Sequence, residues 1–134
     1  MPTSKVSPTT MAVLVVEDDP YQAGQLARTL SAAGGFRVAV ASGLTEALAA
    51  ARADPPAAAV IDIGLAEGDG IAVARGLQDA LPTRPLLIAL TGTDGLADAL
   101  FRAGFDRYYL KPPDEPALVT TLEQHRATLT TRGA

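Results

Sequence analysis

The sequence predicts an α/β fold, a doubly wound sheet of five parallel strands with five helices covering both faces. Five short apolar runs alternate along the chain with five segments in which apolar residues recur at helical spacing. The run Ala57–Asp62 is apolar up to its last residue, which is typical of a strand buried in a parallel sheet. The 134 residues, 48% of them hydrophobic, suffice for one domain with a real core and exclude a disordered chain. Right-handed crossovers would bring the strand ends to one edge of the sheet.

Turn and cap residues delimit the first two predicted helices. Pro20 suits the first turn of the first helix, which stops at Gly34-Gly35. Ser42 is expected to be the N-cap of the second helix, and Asp54-Pro55-Pro56 ends it. The five predicted strands are Met11–Val16, Phe36–Val40, Ala57–Asp62, Pro85–Leu90 and Arg107–Leu110.

Glycine and proline also separate the remaining three helices from the strands. Each helix follows a loop or break that is rich in these residues, at Gly64–Gly70, Gly92–Gly95 and Lys111–Pro113. The predicted helices are Ile71 to about Leu81, Leu96–Ala103, which Gly104 closes, and Pro116 to about Leu129.

We expect a single domain over residues 11–130, between a flexible N-terminal tail, residues 1–10, and a flexible C-terminus, residues 131–134. The Ser-, Thr- and Pro-rich start holds one lysine and no apolar segment, so it does not resemble a secretory signal. No apolar run approaches the ~18 residues of a membrane span. We therefore expect a cytoplasmic protein with no membrane contact.

Composition excludes several classes of function. A net charge of −4 and a pI near 4.8 argue against direct nucleic-acid binding, which would need a basic surface. The absence of cysteine excludes disulfides and thiolate metal sites, and a single histidine, His125, cannot build a zinc site alone.

Reactive side chains follow four of the predicted strands. Glu17-Asp18-Asp19 follow the first, Asp62 ends the third, Thr91 follows the fourth and Lys111 follows the fifth. Each residue alone has an ordinary interpretation as a polar loop, cap or solvated side chain. Because α/β sheets place their chemistry at the carboxyl edge, the set together predicts a site for magnesium-dependent phosphoryl transfer.

The residue types suggest individual roles. Mg²⁺ or Mn²⁺ takes oxygen ligands, so Asp18 and Asp62 are candidate direct ligands, Glu17 could act through a bound water, and the Gly64 backbone carbonyl could add a ligand. An aspartate can be a nucleophile that forms an aspartyl phosphate. The Thr91 hydroxyl and an ammonium group would then hold the phosphoryl oxygens.

At this point the sequence closely resembles the receiver domain of two-component response regulators, over Ala12 to about Leu129. The fold implied is flavodoxin-like, with strand order 2-1-3-4-5. The motifs that carry the resemblance are Val15–Pro20, Asp62 with Gly70 eight positions later, Leu90-Thr91-Gly92 and Tyr108–Pro112.

The resemblance implies that Asp62 accepts phosphate from a sensor histidine kinase or a phosphotransfer protein, and that the acid pair binds magnesium. It further implies that Thr91 moves to the phosphate, Lys111 bridges to it, Tyr108 rotates inward, and the Lys111–Pro112 peptide bond is cis. The output would be a changed affinity for a protein partner, or self-association, through the face of the fourth helix, fifth strand and fifth helix.

The sequence departs from the family pattern after the phosphoacceptor, where Leu65-Ala66 replaces the usual Met-Pro. Gly92 stands where alanine is frequent and is still small enough to admit a phosphoryl group. Gly64 and Thr93 occupy the two variable positions that tune dephosphorylation in the family.

Other interpretations stay open. The chain could be a docking module that works without phosphorylation, or an aspartyl-nucleophile phosphatase, although Gly64 occupies the place where that class would need a second acid. Flavin and dinucleotide sites are disfavoured, since no phosphate-binding loop follows the first strand. His125 is expected to be a surface or partly packed residue, and Tyr109 a surface or partner-facing one.

Overall fold

A computed structural model describes residues 10–65 and 70–133, except for the side chains of residues 130–133. Five parallel strands form one sheet in the order β2-β1-β3-β4-β5, which confirms the predicted fold and topology. The strands are β1 Met11–Val16, β2 Phe36–Ala41, β3 Ala58–Asp62, β4 Leu86–Thr91 and β5 Arg107–Leu110. The helices are α1 Pro20–Ala33, α2 Leu44–Ala53, α3 Gly70–Ala80, α4 Ala97–Arg102 and α5 Glu115–Gly133.

Helices cover both faces of the sheet because side chains of each central strand point alternately to opposite sides. In β1, Leu14 and Val16 belong to the core beneath α2, α3 and α4, whereas Val13 and Val15 belong to the core beneath α1 and α5. All six residues of β1 and all five of β3 are buried, so these two strands form the buried centre of the molecule.

Backbone hydrogen bonds between neighbouring strands continue one residue past the ends of β1, β3 and β5. They hold the backbone of the residue that follows each of these strands. The N–H of Glu17 donates to the carbonyl of Ala41 at 3.0 Å, and that of Lys111 donates to the carbonyl of Thr91 at 2.8 Å. The N–H of Ile63, directly after Asp62, donates to the carbonyl of Leu90 at 2.8 Å. The backbone at the carboxyl edge is therefore held by the sheet itself.

The predicted cap of α2 was wrong. Its N-cap is Gly43, which offers no side-chain acceptor, and the Ser42 N–H instead donates to the carboxylate of Glu46 at 2.8 Å. Glu46 in the first turn thus ties the helix to the residue before its N-cap, and no side chain caps the helix itself. Helix α5 begins one residue before its predicted start, at Glu115, where Asp114 accepts from the Ala117 N–H at 3.1 Å.

The remaining boundaries lie close to the predicted ones. Helix α3 begins at Gly70, the last residue of the predicted loop, and α5 continues to Gly133 into the predicted C-terminal tail. Of the predicted N-terminal tail only Thr10 lies within the described residues, and Arg37 donates to its carbonyl and hydroxyl. Among the described residues, no helix combines the length and the apolar character that a membrane span requires.

Candidate functional site

Three carboxylates meet at the carboxyl edge of the sheet. Glu17 and Asp18 follow β1 directly, and Asp62 is the last residue of the neighbouring strand β3. One oxygen from each lies within 4.8 Å of the others. Glu17 is 6% exposed and Asp62 5% exposed, whereas Asp18 is only partly buried. The structure thus brings together the three predicted acidic residues in one largely buried cluster.

The ammonium group of Lys111 faces this cluster. The Lys111 Nζ lies 3.3 Å from Asp62 Oδ2 and 3.4 Å from Glu17 Oε1. The other oxygen of each acid accepts a backbone hydrogen bond: Glu17 Oε2 from the Asp19 N–H at 3.1 Å, and Asp62 Oδ1 from the Gly64 N–H at 3.0 Å. Both buried carboxylates are therefore fixed in orientation.

Burial and neighbouring charges shift the pKa of two groups in the site. Burial raises the pKa of Glu17, and the negative charge of Asp62 raises it further, against hydrogen bonding from the Asp19 backbone and the charge of Lys111. Burial works against the charge of Lys111, but Asp62 and Glu17 outweigh it and raise the pKa of that ammonium group. A cation bound among the three carboxylates would reduce the repulsion between them.

Thr91 ends β4 and is 3% exposed. Its hydroxyl accepts from the Thr93 N–H at 3.1 Å and donates to the Thr93 carbonyl at 3.1 Å, so it closes a tight turn after the strand. Both described contacts of this hydroxyl are thus local. The predicted switch residue is at the site's edge, engaged with its own loop.

The two adjacent tyrosines of β5 lie on opposite faces of the sheet. Tyr108 packs with the core beneath α2, α3 and α4 and makes an edge-to-face contact with Phe101, with ring centroids 6.2 Å apart. The interpretation of Tyr109 as surface or partner-facing was wrong. It is half-buried, and its hydroxyl lies 2.6 Å from the hydroxyl of Thr121 on α5.

Small residues surround Asp62. A Cβ at Gly70 would lie 2.6 Å from the Asp62 carbonyl oxygen, so only glycine lets α3 begin this close to the end of β3.

The Lys111–Pro112 peptide bond is cis. Leu65 is buried, while Ala66 lies outside the described residues. The role of the Gly64 carbonyl stays a prediction. His125 is partly packed, as expected, with Nε2 3.1 Å from the Ala57 carbonyl.

A cleft of about 450 Å³ adjoins the site between α1 and the chain after β5. The sequence analysis did not predict this cleft. The one available signal is the helical spacing of Gln22, Gln25 and Leu26, which places them on one side of α1. The lining residues are Glu17, Gln22, Gln25, Leu26, Leu90, Lys111, Pro112, Pro113 and Glu115.

Known proteins with similar sequences are bacterial regulators. The acid tolerance regulatory protein ActR of Rhizobium meliloti is 36% identical over 118 residues, which cover 84% of this chain and 58% of ActR. The photosynthetic apparatus regulatory protein RegA of Rhodovulum sulfidophilum is 33% identical over 105 residues, which cover 77% of this chain and 56% of RegA. The chain thus spans little more than half the length of these two relatives.

A solved structure extends the likeness to three dimensions. It is a response regulator protein from Burkholderia pseudomallei with a phosphorylated aspartic acid, a calcium ion and citrate. That protein is 28% identical to this chain, with a TM-score of 0.75, and the match covers 92% of this chain and 73% of the other. A sequence model of the response regulator receiver domain matches residues 13–123, most of the chain. The chain therefore belongs to the family of response regulator receiver domains of two-component systems.

Proposed function

We propose that this chain is a phosphorylation switch in which Asp62 accepts a phosphoryl group from the phosphohistidine of a sensor kinase or a phosphotransfer protein. The observation that carries the proposal is the meeting of Glu17, Asp18 and Asp62 within 4.8 Å, with Lys111 3.3 Å from Asp62. The combination of a cation site, a nucleophile and an ammonium group suits phosphoryl transfer.

The donor set fits a hard divalent cation such as Mg²⁺ or Mn²⁺. All three side chains offer carboxylate oxygens, and the burial and crowding that raise the pKa of Glu17 disfavour the empty, fully charged site. Glu17, Asp18 and Asp62 would hold the ion, with the Gly64 carbonyl as a further ligand. The bound ion would supply charge neutralisation for the transferring phosphoryl group.

The remaining roles follow from the contacts. The Gly64 N–H and Lys111 orient the Asp62 carboxylate, one oxygen of which attacks phosphorus while the phosphorus–nitrogen bond to the donor histidine breaks. Lys111 then pairs with the new phosphoryl oxygens. Chemistry by the chain itself is limited to taking up this group and losing it to water.

The output is a changed surface for a protein partner. Thr91 would leave its hydrogen bonds with Thr93 and approach the phosphate, and Tyr108 would follow inward and leave Phe101. Phe101 is already 51% exposed, so this change would alter an apolar patch on the face formed by α4, β5 and α5. The partner would be another protein or a second copy of this chain, and the proposed compartment is the cytoplasm.

Beryllium fluoride, which mimics a phosphoryl group on aspartate, tests the proposal. With Mg²⁺ it should shift the amide NMR signals around Asp62, Thr91 and Lys111 in the wild type, and leave Asp62→Asn unchanged. Asp79→Asn, the same change at an exposed position of α3, is the matched control and should respond like the wild type. A response that survives Asp62→Asn would contradict the assignment.

A docking function that needs no phosphate is not favoured, because the acid, hydroxyl and ammonium groups of the site are all in place. A Mg²⁺ titration separates the two proposals. Binding in the millimolar range supports the switch, and no binding at that concentration supports the docking module.

A further inference from the structure

Asp19 is the last acid of the run Glu17–Asp19, and the proposed site gives it no role. Its side chain is the N-cap of α1, where Oδ1 accepts the Tyr21 N–H at 3.0 Å. The other oxygen, Oδ2, accepts from Gln22 Nε2 at 2.8 Å. Both carboxylate oxygens of Asp19 are therefore bonded to the first turn of α1.

The backbone N–H of Asp19, in contrast, contacts the acidic cluster. It donates to Glu17 Oε2 at 3.1 Å, in a contact that is partly buried. Asp19 has a φ of −86° and a ψ of 111°, an extended conformation that the following residue, Pro20, favours. The capping side chain and the proline thus fix the direction of this N–H.

Glu17 depends on such a contact more than an aspartate in its place would. A glutamate carboxylate is separated from the backbone by one more rotatable bond, so holding it in one place costs more conformational entropy. Glu17 Oε1 lies 3.4 Å from Lys111, but Lys111 also lies 3.3 Å from Asp62 and would pair with the phosphoryl group in the proposed reaction. The hydrogen bond from Asp19 is a contact of Glu17 that does not depend on Lys111.

We propose that Asp19 and Gln22 are positioning residues for the cation: they hold the Asp19 N–H on Glu17 and so keep this carboxylate within reach of the other two acids. The inference rests on the proposed function, since it needs a cation among these acids. Neither residue is a proposed ligand, and each acts on the cation through Glu17.

Two substitutions of Asp19 separate the geometry from the charge. Asp19→Asn and Asp19→Ala both remove one negative charge. Asparagine keeps the cap, and its amide nitrogen can donate to the side-chain oxygen of Gln22 once that amide turns over, whereas alanine keeps neither contact. Asp19→Ala should therefore bind Mg²⁺ at least about tenfold more weakly than Asp19→Asn, since residues that orient a metal ligand typically contribute that much. Isothermal titration calorimetry measures both affinities.

Loss of a helix cap alone should not have this effect. Asp114 precedes α5 and accepts the Ala117 N–H at 3.1 Å, so Asp114→Ala and Asp114→Asn form a matched control pair. Asp114→Ala should be the less stable of the two in urea denaturation, yet both should bind Mg²⁺ equally well.

A double substitution shows whether Asp19 acts through Glu17. Glu17→Ala removes the carboxylate that Asp19 would position, so Asp19→Ala and Asp19→Asn should bind Mg²⁺ equally when either is combined with it. Amide NMR signals followed during the titration report even weak binding. A cap that merely stabilised the fold would leave the difference between the two Asp19 variants in place.

Gln22→Met provides a second test should Asp19→Ala fail to fold. It keeps the length of the side chain and removes one hydrogen bond, so Mg²⁺ binding should weaken by about two- to tenfold. Gln124→Met, the same change at an exposed position of α5, should bind Mg²⁺ like the wild type.

The outcomes separate the positioning role from the proposed function. If the wild type binds Mg²⁺ but the two Asp19 variants bind it equally, or if their difference persists without the Glu17 carboxylate, the positioning role is wrong and the cation site stands. The same conclusion follows if Gln22→Met binds Mg²⁺ as tightly as the wild type. If the wild type binds no Mg²⁺, the cation site is wrong and the positioning role fails with it.

Discussion

The two edges of the sheet use charged residues in opposite ways. At the amino edge two acids each pair with an arginine: Asp54 with Arg37 at 3.1 Å and Asp106 with Arg84 at 3.1 Å. At the carboxyl edge Glu17, Asp18 and Asp62 crowd together, and Glu17 and Asp62 share Lys111. The ion pairs of the amino edge are exposed or half-exposed, whereas Glu17 and Asp62 at the carboxyl edge are buried beside a third carboxylate. The proposed site and these two ion pairs thus lie at opposite edges of the same strands.

The largest effect expected at the carboxyl edge is loss of metal binding. Asp18→Asn removes one of the three clustered carboxylates and should weaken Mg²⁺ binding at least about tenfold, as even indirect metal contacts typically contribute that much. Isothermal titration calorimetry measures the affinity. Asp54→Asn, the same change at the amino edge, should leave it unchanged. Equal Mg²⁺ affinity in Asp18→Asn and the wild type would show that Asp18 is not a ligand.

At the amino edge the largest effect should be on stability. Asp106→Ala removes the side-chain acceptor of the Leu87 N–H and the ion-pair partner of Arg84, and should lower the free energy of unfolding by about 1–3 kcal/mol. Urea denaturation measures this loss, with Asp79→Ala as an exposed control. Mg²⁺ affinity should not change. A loss no greater than that of the control would mean that Asp106 does not hold the edge.

A smaller effect of opposite sign is expected for Glu17→Gln in the metal-free protein. The pKa of Glu17 is raised above its ordinary value of 4.5, so the folded state retains a proton that the unfolded state loses. The stability of the wild type therefore falls as the pH rises from 4.5 through the folded pKa. Glu17→Gln removes this penalty, and its free energy of unfolding at neutral pH should exceed that of the wild type.

Thermal denaturation at acidic and neutral pH, without metal and with saturating Mg²⁺, measures the difference in stability between Glu17→Gln and the wild type. It should shrink at acidic pH, where Glu17 is protonated in both states, and it should shrink with Mg²⁺, which offsets the charge. A variant less stable than the wild type at neutral pH without metal would mean that Glu17 stabilises the fold.

The smallest effect is expected for Arg37→Met. Arg37 and Asp54 are 49% and 51% exposed, so solvent screens their attraction, and the loss of unfolding free energy should be at most about 1 kcal/mol. Denaturation at low and high salt measures it, and the difference from the wild type should decrease with salt. If Arg37→Met lowers the free energy of unfolding as much as Asp106→Ala does, solvent exposure does not explain a difference between the Arg37–Asp54 and Arg84–Asp106 pairs.

The elements and the acidic cluster were predictable because their signals are local. Glycine and proline mark the helix ends, and an apolar run that stops at Asp62 fixes its place on the sheet edge. The N-cap of α2 was placed one residue early because serine is a better N-cap than glycine by residue type, whereas the structure has Gly43 there and pairs the Ser42 N–H with Glu46. Tyr109 was misplaced because its partner Thr121 lies 12 residues along, on a helix whose rotation only packing determines.

The cleft beside the site was also not predictable, because its lining comes from segments far apart in the sequence. Its lining combines Gln22 and Gln25 on α1 with Glu115 on α5. The Thr29 hydroxyl on α1 donates to the Glu115 carboxylate at 2.8 Å and so joins the two helices. Residues from helices this distant in sequence come together through the tertiary fold, so no spacing within one segment identifies them.

The close packing of Gly70 against the end of β3 also indicates where a peptide could be inserted into this protein. The Gly70 N–H donates to the Ile63 carbonyl at 3.2 Å, so the segment between them begins and ends at one point. Such a loop is already closed, and each doubling of its length costs only about 0.6 kcal/mol of additional closure entropy. An inserted epitope or reporter peptide between Leu65 and Gly70 would thus be carried beside Asp62, the proposed phosphoacceptor, while both ends of the loop stay in place.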